Sequence, residues 1–236
     1  MLIRKHTLAL VVLATLVLQG CATGPQFVTK QERFPLMYEE EPLSILVLPP
    51  MNQSTAADAK DYYSTTIQEP LSLLGYYTYP VPVTNEILKM EGVYDTEMLY
   101  GLPLEKFREY FGADAVLYTT ITQWDTAYFV LGSNLTVAFT AEIKSTKTNR
   151  TIWDYSGTIV VDLSGGNSGG SPLGLVVQIV ATAVKTAVAD YVPYARTVNT
   201  CVFSALPVGK YRAEHMQDQQ ALVLPKGQSA QIYLQQ

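Results

Sequence analysis

Two cysteines and two histidines hold most of the reactive chemistry open to this 236-residue chain. Cys21 closes the run Leu18-Gln19-Gly20-Cys21, after a basic start (Arg4, Lys5, His6) and an apolar stretch over residues 7–18. A large aliphatic residue three positions before a thiol, with a small residue just before it, marks a lipid acceptor. The peptidase must seat that backbone beside a thioether-linked diacylglycerol. Gln19 departs mildly, because a small or β-branched residue is commoner there. As a helix the apolar stretch covers only ~18 Å of a ~30 Å hydrocarbon core, so residues 1–20 read as a cleaved export signal and not a membrane span. Each buried methylene contributes ~0.8 kcal/mol, so two or three acyl chains on Cys21 make release negligible. Ala22 follows where an Asp would signal inner-membrane retention, which points to the outer membrane.

The other reactive groups point away from catalysis. Cys201 lies in Thr200-Cys-Val-Phe203, the setting of a buried small hydrophobe. With Cys21 acylated it has no partner for a disulfide within one chain. His215, the one histidine after the signal, sits in the polar stretch Ala-Glu-His-Met-Gln-Asp218 and is expected to be solvated. General acid–base work needs a histidine or tuned carboxylates, so no catalytic residue is assigned and an enzyme, a hydrolase included, is the least expected class. Glu39-Glu40-Glu41 falls in the Pro-bearing residues 21–42, expected to be a lipidated tether. Ser164-Gly-Gly-Asn-Ser-Gly-Gly170 lacks the Gly-Lys-Ser/Thr ending of a phosphate cradle and reads as a linker. No metal or cofactor site is expected, and Trp124 and Trp153 read as core or interface residues.

Removing Arg4 and Lys5 with the signal leaves 14 basic against 21 acidic side chains, a net of about −7. An acidic chain without a Lys/Arg cluster lacks the footprint for nucleic acid. No small-molecule substrate is inferred either.

The positioning elements read as one α/β domain over residues 43–212. Ser44-Ile-Leu-Val-Leu-Pro-Pro50 predicts a strand buried on both faces. A helix over residues 58–74 is stopped by Gly75, with Pro70 kinking it or starting a second short helix. A short strand over 76–80 follows, then a helix capped by Thr84 or Asn85 and stopped by Gly92, and another from Pro103 to Gly112. Residues 113–129, 134–144 and 151–163 predict three long antiparallel strands covered on one side, with Asn149 taking the left-handed turn position. Residues 172–192 predict a helix apolar around most of its circumference and packed on the sheet, either as a plain core helix or as one that also forms a homo-oligomer interface through Leu173, Val176, Val177, Val180, Val184, Ala187 and Val188; a membrane span is the third reading, opposed by Lys185 near its middle. Residues 213–236 form an extension in which 221–224 and 230–234 read as a hairpin extending a sheet edge.

Several motifs in order resemble a known family: Ile45-Leu-Val-Leu-Pro-Pro-Met-Asn52, Glu69-Pro-Leu-Ser-Leu-Leu-Gly-Tyr-Tyr77, Gly112-Ala-Asp-Ala-Val-Leu-Tyr118 with Ile121-Thr-Gln-Trp124, Asn149-Arg-Thr-Ile-Trp-Asp154 and Leu206-Pro-Val-Gly-Lys-Tyr211. The family comprises bacterial lipoproteins of unknown function and includes a genome-derived neisserial antigen. Asn149-Arg150 replaces its more usual Gly-Lys turn. The resemblance implies a fold like the TolB amino-terminal domain, shared with CsgG and with outer-membrane activators of peptidoglycan synthases: a mixed sheet with helices packed on it and a long C-terminal apolar helix. It brings no catalytic residues.

The expected function is that of a non-enzymatic accessory or adaptor, anchored to the outer membrane by its lipid, facing the periplasm and engaging an envelope protein in a CsgG-like export or assembly complex. Regulation of a peptidoglycan synthase is the alternative. A secretion pore is a further one, but Thr119, Gln123 and Asp125 share a face with Leu117 and Ile121, so residues 113–144 offer no clean lipid-facing stripe.

Overall fold

The computed structural model describes residues 27–129, 132–162, 191–228 and 230–234. Among these, a seven-stranded mixed sheet runs in the order β4-β2-β5-β6-β7-β9, with β3 also paired to β5. Its strands are β2 (Ser44–Val47), β3 (Met51–Asn52), β4 (Tyr77–Thr78), β5 (Ala115–Phe129), β6 (Gly132–Ser145), β7 (Thr151–Asp162) and β9 (Ala230–Leu234). A second, two-stranded sheet joins β1 (Val28–Thr29) to β8 (Leu222–Val223).

The sheet has two halves of different character. Around β2 the strands are parallel, and β2 is buried along its length. Its alternate side chains go to opposite layers. Ile45 and Val47 join the larger core under α3 (Ala59–Thr66), α4 (Gln68–Leu73) and α8 (Val192–Phe203). Leu46 and Leu48 join a second core with Leu88, Leu99 and Phe107 from α5 (Val81–Met90), α6 (Thr96–Gly101) and α7 (Leu104–Phe111). A continuous apolar run is the pattern such a sandwiched strand needs. β5, β6 and β7 are antiparallel, and Leu135, Val137, Phe139, Ala141 and Ile143 of β6 all turn into the larger core. That half is covered on one side, as its period-two alternation predicts.

The expected helix over 58–74 is two, meeting at Ile67, with Pro70 in the first turn of α4, where its missing N–H costs nothing. Gly75, at φ +88°, ends it: Gly75 N–H donates to Ser72 O and Tyr76 N–H to Leu71 O, the paired bonds of a Schellman close. α5 begins at Val81, ahead of the expected Thr84 or Asn85 cap, because Pro82 in the first turn needs no donor there. α6 was not expected; Asp95 caps it by accepting from Met98 N–H at 2.7 Å. Asn149 takes φ +58° in the β6–β7 turn, as anticipated.

Both chain ends correct the sequence reading. Residues 28–42 are folded, not tether. α1 (Lys30–Arg33) carries a Thr29/Glu32 capping box, and α2 (Pro35–Glu40) follows at once. Phe34, Met37 and Tyr38 are buried. Three large apolar side chains at Phe34, Leu36 and Met37 outweigh the local polarity that suggested a linker. The C-terminal residues do not form a hairpin: β8 pairs antiparallel with β1, and β9 pairs parallel with β7 at the sheet edge. The folded body thus extends beyond the expected 43–212 at both ends.

Candidate functional site

Cys21, the linker at 164–170 and the interface residues Leu173, Val176, Val177, Val180, Val184, Ala187 and Val188 lie outside the described residues. The long apolar helix expected over 172–192 does so up to residue 190. The remaining candidates fall inside. Trp124 and Trp153 are core residues, 6% and 1% exposed. Cys201 is buried on the inner face of α8, and desolvation pushes its thiol up to about 11, so it is no nucleophile at neutral pH.

His215 is not solvated as expected. Its Nδ1 lies 2.8 Å from Val208 O and its Nε2 3.3 Å from Glu41 Oε2. Glu41 closes α2 at φ +43° and also accepts from Lys210 Nζ at 2.9 Å. The Lys210 hydrogen bond first, then His215, holds its carboxyl below the usual range. This cluster pins the segment after α8 against α2. Among the described residues no cluster of His, Cys, Asp and Glu is placed to hold a metal ion, and no helix is long and apolar enough to cross a membrane.

A buried pair also fastens the two ends together. Lys30 Nζ donates to Asp218 Oδ2 at 3.0 Å and to Leu206 O at 2.8 Å. Asp218 also accepts from Tyr38 OH and from Val208 N–H, each at 3.0 Å. Burial and the Asp218 carboxylate push the Tyr38 phenol well above its ordinary range.

Lys30 of this pair also lines a cavity of about 550 Å³. β9 pairs with β7 only from Gly157 onward, which leaves Asp154, Tyr155 and Ser156 at the edge before it without that partner. α1 and the β8 strand cover this stretch, and the end of α8 supplies the floor through Cys201 and Ala205. Covering an unpaired edge is what keeps it from recruiting another chain. Arg33 and Asp154 in the wall form a fork, with Nη1 2.9 Å from Oδ1, so their charges cancel. Among the described residues, the hydroxyl of Tyr155 and the indole N–H of Trp153 are buried with no hydrogen-bond partner. The sequence held no signal for this cavity, because its walls come from chain segments nearly 200 residues apart.

α5 offers a different kind of site. Val81, Thr84 and Leu88 point inward, while Val83, Ile87 and Met90 stand on the opposite side of the helix at i, i+4 and i+7. Met90 is 84% exposed, and Tyr94 and Met98 continue the run of exposed apolar side chains at 75% and 48%. A helix apolar on two faces is half packed by its own fold and leaves the other half for a partner. Here the sequence did carry a signal: Val81, Val83, Ile87, Leu88 and Met90 are more apolar residues than one buried stripe of a short helix needs.

Comparison with known proteins places this arrangement. Residues 34–207 match the family described as "Putative lipoprotein GNA1162-like". The lipoprotein NMB1124/NMB1162 of Neisseria meningitidis is 33% identical over 152 residues, 64% of this chain and 70% of that protein. The crystal structure of lipoprotein GNA1162 from Neisseria meningitidis is 34% identical with a TM-score of 0.49, covering 54% of this chain and 88% of that one. The PelC dodecamer from Paraburkholderia phytofirmans is 15% identical with a TM-score of 0.42, over 80% of this chain and 95% of that one. The LpoB C-terminal domain from Salmonella enterica is 14% identical with a TM-score of 0.38, over 55% and 96%. With most of its folded body inside the matched span, the chain belongs to the GNA1162-like lipoprotein family.

Proposed function

We propose that this protein is an outer-membrane-anchored, periplasm-facing lipoprotein that works without chemistry of its own, as an accessory or adaptor subunit of an envelope export or assembly complex. The lipid on Cys21 holds it at the bilayer, and its partner is another envelope protein. By the motif resemblance, that complex is of the CsgG-like kind and the sheet is kin to the TolB amino-terminal domain. The outward face of α5 carries the reading. Val83, Ile87 and Met90 expose apolar surface that is not buried against the other described elements. Methionine and tyrosine are the side chains that interfaces concentrate. Leu173 to Val188 is kept as the proposed self-association segment.

A pore subunit fits less well. Within the described residues Thr122, Asp125 and Thr140 are exposed on the open side of β5 and β6, where a lipid-facing strand would need apolar groups. The test is in-cell crosslinking followed by purification from envelopes. The wild-type chain is expected to recover one envelope protein in stoichiometric yield, and an Ile87→Glu, Met90→Glu double variant to lose it while keeping its abundance and processed N-terminus. An unchanged crosslinking profile in that variant would refute α5 as the contact face.

A further inference from the structure

We propose that the cavity between β7, α8 and the β1–β8 ribbon is a binding site for a single acyl chain, and that its occupant is one of the chains on the protein's own Cys21. The proposal rests on the lipidation reading above and adds a site to it.

Four observations carry the assignment. The cavity is large enough for a lipid chain: its volume of about 550 Å³ falls within the ~300–1,000 Å³ span of ligand pockets. Its lining is dominated by apolar surface from Phe27, Phe34, Ala205, Leu222, Val223 and Leu224. The charged groups in the wall are already matched, Arg33 with Asp154 and Lys30 with Asp218. A carboxylate or phosphate would find no free counter-charge there, whereas an ester- or amide-linked aliphatic chain brings none. Finally, Phe27 is itself part of the wall, and only five residues separate it from Cys21.

That spacing decides the source. The six Cα-to-Cα steps from Cys21 to Phe27 span at most ~20 Å when extended, so the acylated cysteine is confined to the neighbourhood of the cavity. A ligand on so short a tether is present at an effective concentration in the ~mM range. A methylene gains about the same on leaving water whether it enters a bilayer or a protein interior. A chain can therefore reside in either host with little difference in free energy. Two chains left in the bilayer still make a stable anchor. The walls built by Phe27, Lys30 and Arg33 and by residues 221–228 lie outside the matched family span of 34–207.

The test uses the full chain in growing cells fed a diazirine-bearing palmitic acid analogue, which enters lipoprotein and phospholipid chains alike. After irradiation, the purified protein is digested and its crosslinked peptides are mapped by mass spectrometry. The expected result is a crosslink from the Cys21 peptide to the segments containing Cys201–Ala205 or Ala221–Gln228. In an Ala205→Trp variant, which fills the cavity, that crosslink should fall at least tenfold while acylation of Cys21 is unchanged. A second arm exports the mature chain with Cys21→Ser behind an unlipidated signal; no lipid adduct is expected on the cavity peptides there. Phospholipid adducts on those peptides in either chain, without the Cys21 crosslink, would assign the site to bulk lipid and overturn the proposal. So would an acylated Cys21 whose crosslinks never reach the cavity, including the case in which another segment of the chain fills it. An N-terminal peptide of unacylated mass would sink the lipidation reading itself, a result distinct from the others.

Discussion

Lys30 Nζ lies 3.0 Å from Asp218 Oδ2, so a buried ion pair joins the start of the folded body to its C-terminal extension. Both side chains are largely withdrawn from water, 8% and 14% exposed. A pair so placed behaves unlike the exposed Lys89–Glu86 contact on α5, which by its class contributes about 0.3–0.5 kcal/mol. Breaking the buried pair strands a charge, at a cost of roughly 3–5 kcal/mol.

Asp218→Ala should therefore lower stability by about 3 kcal/mol, since it orphans Lys30, the Tyr38 hydroxyl and Val208 N–H together. Lys30→Met combined with Asp218→Asn should recover most of that loss, because no buried charge remains and the asparagine still accepts a bond. Urea unfolding of the three chains measures it. If Asp218→Ala unfolds at the wild-type midpoint, the extension is not part of the cooperative unit.

Gly209 makes a second seam. A Cβ built there would stand 2.3 Å from Gly75 O, a backbone atom fixed by the close of α4. Gly209 N–H donates to Leu74 O and Tyr211 N–H to Gly75 O, so the two backbones meet directly. Gly209→Ala is expected to cost at least the ~1–3 kcal/mol of an overpacked core position. Gly92→Ala is the control: its φ is +83° but nothing lies within 4 Å, so only about 1 kcal/mol of backbone strain is expected. Thermal melts that rank Gly92→Ala as the worse of the two would contradict this account.

These seams mark where sequence reading succeeded and where it stopped. β2, β5, β6 and β7 were legible because each carries its own periodicity, continuous for the sandwiched strand and alternating for the half-covered ones. Gly75, Gly112 and Asn149 were legible because a left-handed φ leaves a residue-type signature. α1 and α2 were not: thirteen residues with two prolines and three consecutive glutamates look like a linker until Phe34, Met37 and Tyr38 find the rest of the core. β8 and β9 were seen as segments but mispaired, since the preference for a hairpin assumes local partners and theirs lie at residues 28–29 and 157–161. The outer face of α5 could have been read from its surplus apolar residues. The cavity could not, because it exists only after both ends fold back.

The unpartnered hydroxyl of Tyr155 gives a prediction of opposite sign to most core substitutions. A buried hydroxyl without a partner costs about 1–3 kcal/mol relative to one that is satisfied. Tyr155→Phe should therefore raise stability by about 1 kcal/mol, measured in the Cys21→Ser mature chain so that no acyl chain intervenes. Tyr63→Phe provides the contrast, because its hydroxyl lies 2.6 Å from Thr119 Oγ1 in the core. That variant should lose about 1 kcal/mol. Equal losses in both chains would show that Tyr155 has a partner after all.

Alkaline pH should destabilise the protein in two stages. The Cys201 thiol is pushed up to about 11 by burial, against about 8.5 in an unfolded chain. Below about 8.5 both states keep the proton and pH has no effect through this group. Between about 8.5 and 11 the unfolded chain releases a proton that the folded one retains, so stability falls as pH rises, by roughly 3 kcal/mol in all. Burial likewise raises Tyr100, to about 12, and Tyr63 and Tyr76 further. Their contribution is lost only above the ordinary tyrosine range of about 10. Urea midpoints taken between about pH 8 and pH 10 should fall in the wild-type chain and stay nearly level in Cys201→Ala; the wild-type chain should remain the steeper up to about pH 11, and both should drop together above it. The alanine variant starts lower by the packing it gives up, so the slope and not the midpoint is the measurement that matters. Parallel slopes in the two chains would mean that the thiol is not buried as described, and that the floor of the acyl cavity differs from the one assigned to α8.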